Sequence, residues 1–219
     1  MRHAVAETPS PLDFIPLAEQ TGEIHAIGTW VLQQACREAA DWPDDLLVAV
    51  NVSPVQFDDE QFVDIVAAAL QDSALPASRL EIEITEGVLI KDPEHTLLIL
   101  QRLRKLGVSI AMDDFGTGFS SLGYLSSFPF SKIKIDQSFV RGEQTERSRA
   151  LVRSILSLGE SLAMTTLAEG VETVEQFDEL SNGGCCSAQG YLISRPLDPP
   201  AINAFLTDYQ RKSSPAAPS

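Results

Sequence analysis

Polar side chains that can bind metal ions or move protons recur where short apolar segments of this sequence end. They are Asn51, Glu83, the pair Asp113 and Asp114, Lys134, Glu169 and Gln189. Carboxylate and amide oxygens are hard ligands that suit Mg²⁺ or Mn²⁺ better than zinc. Two adjacent carboxylates are difficult to keep ionised without a nearby cation. The pattern therefore predicts a metal-dependent hydrolase, in which an aspartate bridging two ions supports attack on a phosphodiester, and it leaves the substrate open.

Each of these residues also has an ordinary structural interpretation. An Asp-Asp pair is usually a helix cap or a solvated turn, and Lys134 could be a salt-bridge partner of Glu83 or Asp136. The remaining alternatives are a turn cap before Pro54 for Asn51, a satisfied buried amide for Gln189, and ordinary surface charges for Glu81 and Glu86. One such residue at the end of every segment is a less common coincidence, which favours a shared site.

Short apolar segments alternate with amphipathic stretches along the chain. The predicted strands are Leu46–Val52, Arg79–Thr85, Val108–Met112, Lys132–Asp136, Met164–Ala168 and Ser187–Ile193. Helices are predicted over Leu12–Ala40, around Phe62–Leu70, over Thr96–Leu106 with Gly107 as C-cap, and around Leu151–Leu162. Repeated strand–helix units imply a parallel sheet, either open and doubly wound or closed into a (β/α) barrel.

The composition of the strands favours the barrel. Apolar and polar residues alternate in Leu80–Thr85 and again in Lys132–Asp136. Strands of a doubly wound sheet are apolar on both faces, whereas barrel strands have one face in the lumen, where polar side chains line the site. In a barrel the strand ends converge on one face, which brings the polar residues together.

Composition restricts the function further. The net charge of −15 disfavours binding to duplex DNA or RNA, although a bound metal would still admit a small anionic ligand. Cys36, Cys185 and Cys186 form no disulfide framework and no zinc motif. No apolar run reaches the length of a membrane span and the first residues do not resemble a signal peptide, so a cytoplasmic location is the default expectation.

The glycines after the acidic pair predict a tightly turned loop, Asp113-Asp-Phe-Gly-Thr-Gly118, without the lysine of a P-loop. This loop is one of seven motifs that together resemble the EAL domain family. The others are Phe14-Ile-Pro-Leu-Ala-Glu19, Asn51-Val-Ser-Pro-Val-Gln-Phe57, Glu83-Ile-Thr-Glu86, Lys134-Ile-Asp136, Ala168-Glu-Gly-Val-Glu-Thr173 and Gln189-Gly-Tyr191. Their order and spacing match the family from about Phe14 to Pro196.

The resemblance implies a role in bacterial signalling by cyclic di-GMP, with metal-dependent hydrolysis to linear pGpG as the family reaction. It also implies the EAL-type modified TIM (β/α) barrel, a two-metal site for Mg²⁺ or Mn²⁺, homodimerisation, and an upstream sensory or GGDEF-type domain in the full-length protein. By resemblance, Asn51, Glu83 and Asp113 bind the first metal, and Asp113, Asp114 and Glu169 the second. Lys134, Glu169 and Asp114 are the catalytic residues, with Lys134 contacting the attacking water. Glu172 and Gln189 support the site, and Glu86 anchors the Asp-Asp-Phe-Gly-Thr-Gly loop.

The sequence departs from the family at its start. The Glu-Ala-Leu motif, whose glutamate is a metal ligand, and the arginine that follows it do not occur. We therefore expect a truncated barrel with about six of eight strands, in which residues 1–13 are a remnant of the segment after that motif, residues 14–210 form the domain and residues 211–219 are a disordered tail. A misassigned start, a fragment of an active enzyme, and a catalytically inactive cyclic di-GMP receptor or protein-interaction module remain open, and activity of the chain as written is in question.

Overall fold

A computed structural model of the chain describes residues 10–117, 122–141 and 145–213. Its helices are α1 (Pro11–Thr21), α2 (Ile24–Ala40), α3 (Phe62–Ser73), α4 (Val88–Lys91), α5 (Pro93–Leu106), α6 (Leu122–Ser127), α7 (Ser138–Arg141), α8 (Glu146–Ser161), α9 (Val174–Asn182) and α10 (Pro199–Ser213), and its strands are β1 (Val48–Asn51), β2 (Leu80–Thr85), β3 (Ser109–Phe115), β4 (Lys132–Ile135), β5 (Thr165–Ala168) and β6 (Ser187–Ala188). Short 3₁₀ helices lie at Pro54–Asp58 and Ala77–Arg79.

The six strands form one parallel sheet in the order β1-β2-β3-β4-β5-β6. A doubly wound sheet reverses its strand order at a switch point, whereas a barrel adds each strand beside the previous one. The sequential order is therefore that of a (β/α) barrel, and the predicted fold class is confirmed. Within the described residues, β1 pairs only with β2 and β6 only with β5, so the sheet is an open half-barrel.

The helices begin and end at residues with clear local roles. In α1, Ser10 accepts a hydrogen bond from the N–H of Leu12, and Gly22 ends the helix with φ of 81°. The predicted N-terminal helical stretch is thus two helices that Gly22 separates. In α5, the Asp92 side chain caps the N-terminus, and Gly107 ends the helix with φ of 97°, as predicted.

The core lies between the outer face of the sheet and the helices. Its fully buried side chains include Leu80, Ile82 and Ile84 of β2, Ile110 and Met112 of β3, Ile133 and Ile135 of β4, and Leu32, Val66, Leu100 and Leu103 of the helices. Burying one such side chain contributes roughly 1.5–3 kcal/mol. This packing fixes the outer face of each strand, and the intervening polar residues then face the lumen.

Several boundaries differ from the sequence-based ones, most by one to three residues, and two of the differences bear on the site. Strand β3 continues through Asp113 and Asp114 to Phe115, and β6 ends at Ala188 instead of Ile193. The chain turns after β6 because Gly190 packs directly on the backbone of Val171, where a Cβ would lie 2.1 Å from the carbonyl oxygen. Helix α10 runs through Ser213, so the start of the expected tail at 211 falls inside it, and residues 1–9 and 214–219 lie outside the described part. No helix of the described residues is long and apolar enough to cross a membrane.

Candidate active site at the strand ends

A bulge in β3 places both aspartates on the lumen side of the sheet. Met112 pairs with Ile133 and Phe115 with Ile135, so β3 has one more residue than β4 over this stretch. Met112 and Phe115 both pack in the core, which leaves Asp113 and Asp114 between them. The φ of Asp114 is 52°, a left-handed conformation that aspartate tolerates better than most residues. Because both residues lie within β3, the ordinary alternative of a helix cap does not apply to this pair.

Lys134 connects three of the predicted site residues. Its Nζ lies 2.7 Å from Glu83 Oε2, 2.9 Å from Asp113 Oδ1 and 2.8 Å from Glu169 Oε1. Only 3% of the lysine side chain is exposed. Three carboxylates match the three N–H donors of an ammonium group. The alternative of a salt bridge between Lys134 and Glu83 is thus correct as a contact, and the other partners are Asp113 and Glu169.

The carboxylates gather into a cation-binding arrangement. One oxygen each from Asp113, Asp114 and Glu169 can be chosen so that all lie within 4.8 Å of one another. With Glu83 the group has four carboxylates beside the ammonium of Lys134, which contacts Glu83, Asp113 and Glu169, and a divalent cation would offset the excess of negative charge. Hard carboxylate oxygens are the donors that such ions prefer, so the residues present fit a divalent metal.

The electrostatics reflect this crowding. Burial and, after it, the negative charges of Asp113, Asp136 and Glu169 together raise the pKa of Asp114 to about 6, against the opposing charge of Lys134. Burial also raises the pKa of Glu83, against the opposing effect of Lys134. For Lys134, burial lowers the pKa, but the charge of Glu83 and the hydrogen bonds to the three carboxylates outweigh burial and raise it. The lysine is therefore a fixed positive charge.

Two further acidic residues are buried instead of lying on the surface as the alternative held. Glu81 forms an ion pair of 2.7 Å with the ammonium group of Lys132. Lys132 lies two residues before Lys134 in β4, on the same face of the strand. Glu86 directly follows β2 and accepts a hydrogen bond of 3.1 Å from the N–H of Gly116. This contact links the end of β2 to the described part of the Asp113–Gly118 loop; residues 118–121 lie outside the described part.

The remaining predicted residues lie at the same end of the sheet but are more exposed. Asn51 ends β1 opposite Glu83 in the strand register, and its side chain has no role as a cap, because Ser53 caps the following 3₁₀ helix. Gln189 follows β6 and is exposed, so the buried-amide alternative is wrong. Glu172 is exposed and pairs with Arg141 at 2.8 Å.

Sequence reasoning missed some residues around the site. Asp136 contributes to the raised pKa of Asp114, although its motif was recognised without a role. Glu19 accepts a hydrogen bond of 2.6 Å from Ser53 Oγ and thereby ties α1 to the turn after Asn51. The sequence signal for this contact is that Glu19 and Ser53 each lie in one of the seven motifs. Arg141 carried no signal of its own.

Comparison with known proteins adds the lineage. An uncharacterised signalling protein of Caulobacter vibrioides is 49% identical over 207 residues, which cover 94% of this chain and 26% of that protein. MucR of Pseudomonas aeruginosa, a bifunctional diguanylate cyclase/cyclic di-GMP phosphodiesterase, is 44% identical over 193 residues, or 86% of this chain and 28% of its own length. This chain thus spans about a quarter of the curated relatives it matches.

Solved structures agree with these relatives. The MucR phosphodiesterase in complex with c-di-GMP superposes with a TM-score of 0.87 at 41% identity, over 91% of this chain and 83% of that one. A manganese and cyclic di-GMP complex of BlrP1 from Klebsiella pneumoniae gives 0.72 at 31% identity, over 78% of this chain and 45% of that one. The EAL domain family profile matches residues 1–196. With the half-barrel and its strand-end carboxylates, this match means that the chain belongs to the EAL domain family.

Proposed function

We propose that this EAL domain binds cyclic di-GMP together with Mg²⁺ or Mn²⁺ and hydrolyses one phosphodiester bond to give linear pGpG. The observation that carries the proposal is the grouping of Asp113, Asp114 and Glu169 around Lys134 at the ends of parallel strands. Its substrate is supported by the MucR and BlrP1 structures, which are cyclic di-GMP complexes. A homodimer and an upstream sensory or GGDEF-type domain stay predictions from the family resemblance.

The residues that would hold the cations are the strand-end oxygens. Asp113, in the bulge, would be a ligand shared by both cations; Asp114 and Glu169 would complete one ligand set, and Glu83 and Asn51 the other. When bound, divalent cations supply Lewis-acid stabilisation of a phosphodiester under attack and lower the pKa of water. A calcium and cyclic di-GMP complex of BlrP1 also supports a site for a divalent ion with oxygen ligands.

The chain's own residues orient the reacting groups. Lys134 holds Glu83, Asp113 and Glu169 with contacts of 2.7–2.9 Å, which limits the movement of their carboxylates, and its positive charge favours the negatively charged phosphodiester. Glu169 and Asp114 are only partly buried, so they are the carboxylates that we assign to accept the proton of the attacking water. Glu86 holds the chain after the aspartates through Gly116.

The reaction itself is a hydrolysis at one phosphorus atom. A water oxygen forms a new bond to phosphorus as the bond from phosphorus to the ribose 3′ oxygen breaks. One water proton goes to the carboxylate acting as base and the other stays with the oxygen now bound to phosphorus, while the leaving 3′ oxygen takes a proton from solvent, to which the base later returns its own. The ring opens to a linear dinucleotide that keeps a 5′ phosphate, which is pGpG.

The test uses the purified 219-residue chain with cyclic di-GMP, and measures pGpG by chromatography with Mn²⁺, with Mg²⁺ and with a chelator. We expect pGpG only in the presence of metal. Its formation should be slow because the sequence lacks the glutamate of the Glu-Ala-Leu motif, which leaves one oxygen ligand fewer. Asp113→Asn should abolish hydrolysis, since Asp113 is the bridging ligand of our proposal. Asp64→Asn, on the exposed side of α3, is the matched control and should keep activity.

A second measurement separates hydrolysis from binding alone. Cyclic di-GMP affinity is measured by calorimetry in Ca²⁺ for the same proteins. Binding in Ca²⁺ without any turnover in Mn²⁺ or Mg²⁺ would contradict hydrolysis and identify the domain as a cyclic di-GMP receptor. Turnover that persists in Asp113→Asn would contradict the metal assignment.

A further inference from the structure

Arg141 connects three strand ends through one side chain. It is the last residue of α7, the short helix that follows Lys134 and β4. Its Nη2 lies 2.8 Å from Glu172 Oε1, and its Nε donates to the carbonyl oxygen of Gly170 at 3.4 Å. Its guanidinium carbon lies 5.3 Å from the ring centroid of Tyr191, which is a cation–π distance. The arginine thus touches the loop after β5 and the turn after β6.

The loop after β5 also packs on α7 through contacts besides those of Arg141. Gly170 has φ of 69°, and a Cβ there would lie 2.6 Å from Gln137 Cβ, so no larger residue fits. Gln176 donates to the carbonyl oxygen of Val140 at 3.1 Å and accepts from the N–H groups of Glu172 and Thr173 at 2.8 and 3.1 Å. Segment 170–173 is therefore held against α7 from both ends.

This segment also determines the position of two candidate site residues. Glu169 precedes it directly and contacts Lys134 at 2.8 Å. The N–H of Val171 donates to the carbonyl oxygen of Gln189 at 3.0 Å, and the N–H of Gln189 donates to that of Ala168 at 2.8 Å. A shift of segment 170–173 would therefore move Glu169 and the backbone of Gln189 together.

We propose that Arg141 is a positioning residue, which holds segment 170–173 and thereby fixes the position of Glu169 at the cation site and of the Gln189 backbone beside it. The role rests on the proposed function, since the site matters only if it binds metal and substrate. An isolated exposed ion pair contributes little to stability, about 0–1 kcal/mol. Residues that orient metal ligands from behind typically change metal affinity or activity by about 10–100-fold when mutated. Arg141 therefore acts on the site more than on the fold.

Arg141→Gln in the 219-residue chain tests this role with Mn²⁺ as the probe. We expect about tenfold weaker Mn²⁺ binding by calorimetry and a lower kcat with a smaller change in KM. Hydrogen exchange at the amides of Val171, Gln189 and Leu192 should be several-fold faster. Arg102→Gln is the matched control, because Arg102 of α5 forms an exposed ion pair of 3.3 Å with Asp64 of α3, and this variant should match the wild type.

A double-mutant cycle isolates the ion pair. Glu172→Gln should weaken Mn²⁺ binding as Arg141→Gln does, and the double variant should lose little more than either. Arg141→Lys keeps the positive charge and should recover part of the affinity. If the losses of Mn²⁺ affinity in the two single variants add up in the double variant, the ion pair between Arg141 and Glu172 is not their cause.

Failure of the proposed function is distinguishable from failure of this proposal. A wild-type chain that binds Mn²⁺ without hydrolysing cyclic di-GMP contradicts hydrolysis, and Mn²⁺ affinity still tests Arg141. If the wild type binds no Mn²⁺, the hydrogen exchange decides: faster exchange in Arg141→Gln than in Arg102→Gln supports the positioning role. Exchange and Mn²⁺ affinity that match the Arg102→Gln control overturn it.

Discussion

Glu86 accepts a hydrogen bond of 3.1 Å from the backbone N–H of Gly116, and this contact joins the end of β2 to the chain that leaves the paired aspartates. Gly116 is confined on another side as well, because a Cβ at its position would lie 3.0 Å from the ring of Phe139. Its φ of 98° also favours glycine. The backbone two residues after Asp114 is thus fixed by a carboxylate on one strand end and by an aromatic ring of α7.

Glu86→Ala should reduce pGpG formation and weaken Mn²⁺ binding by about 10–100-fold, because it releases the aspartate-bearing chain without removing a ligand. Turnover and Mn²⁺ affinity are measured beside Asp113→Asn, which should lose activity completely. Glu60→Ala, at an exposed carboxylate, is the control and should behave as the wild type. A loss as complete as that of Asp113→Asn would mean that Glu86 is itself a ligand.

Most of the fold follows from local patterns in the sequence. The alternation in Leu80–Thr85 gives β2 its core face and its lumen face, and the lumen positions Glu81 and Glu83 meet Lys132 and Lys134 of β4. Period-2 alternation is a strong signal because a slip of one residue would turn every charged side chain from the polar lumen to the apolar face that packs on the helices. This alternation is typical of barrel strands and not of strands in a doubly wound sheet, which are apolar on both faces.

The site depends on features that no such pattern reveals. Simple alternation would turn one of Asp113 and Asp114 away from the lumen, and only the bulge in β3 brings both to the same side. A bulge is set by the packing of Met112 and Phe115, which is tertiary. The contacts of Arg141 depend equally on how three separate loops meet. The residue types in the sequence predict the candidate metal ligands, whereas tertiary packing determines how these ligands are arranged.

Gly28→Ala should destabilise the protein although alanine is the better helix former. Gly28 lies in the middle of α2, where this change normally gains about 1 kcal/mol. Here a Cβ would lie 2.1 Å from Nε2 of the buried Gln56, whose Oε1 accepts from the N–H of Ser53 at 3.1 Å. Displacing this amide should cost about 1–3 kcal/mol in a urea titration.

A variant that lacks the Gln56 side chain tests whether the contact with Gln56 causes the destabilisation. With Gln56→Ala already present, the obstacle at Gly28 is gone, and adding Gly28→Ala should be neutral or stabilising by up to about 1 kcal/mol. Equal destabilisation in both backgrounds would show that the contact with Gln56 is not responsible.

Cys36 should resist alkylation in the folded protein while Cys186 reacts. Cys36 is fully buried in the core, and burial raises the pKa of its thiol from 9.0 to about 11, whereas Cys186 is exposed. Because the thiolate is the nucleophile, both effects slow Cys36. Mass spectrometry after alkylation at pH 8, with and without urea, measures this. Alkylation of Cys36 in the folded protein at the same rate as Cys186 would contradict the burial of Cys36 in the core.

The same thiol predicts a loss of stability at alkaline pH. A pKa raised in the folded state means that the folded protein holds this proton more tightly than the unfolded chain does. The resulting contribution to the free energy of unfolding is present below about pH 9 and is lost as the pH rises through about 11. Urea titrations at pH 8 and pH 11 should therefore show a smaller decline in Cys36→Ala than in the wild type. Equal declines would show that other groups cause it.

The buried ammonium of Lys134 is the main neutralising charge among the strand-end carboxylates. It contacts Glu83, Asp113 and Glu169 within 2.9 Å, whereas Lys132 is more exposed and forms an ion pair with Glu81, its one carboxylate partner among the described residues. Lys134→Met would leave three carboxylates without their common partner. Lys132→Met would leave one, which makes it a matched control within the same strand.

Lys134→Met should lower the free energy of unfolding at pH 7.5 by about 3–5 kcal/mol, as expected when one partner of a buried ion pair is removed. Two conditions should restore part of this loss. Mn²⁺ at 100 times its dissociation constant would return about 2.7 kcal/mol by binding the freed carboxylates.

Lowering the pH to about 5.5 should also restore stability. Burial already raises the pKa of Glu83, and without the opposing charge of Lys134 the folded state binds this proton still more tightly. The stability gained in this way is present at low pH and is lost as the pH rises. Urea titrations of both lysine variants measure these effects, with Lys132→Met expected to lose less and to gain nothing specific from Mn²⁺. Equal recovery of the two variants in Mn²⁺ would place the cation away from Asp113 and Glu169 and contradict the proposed metal site.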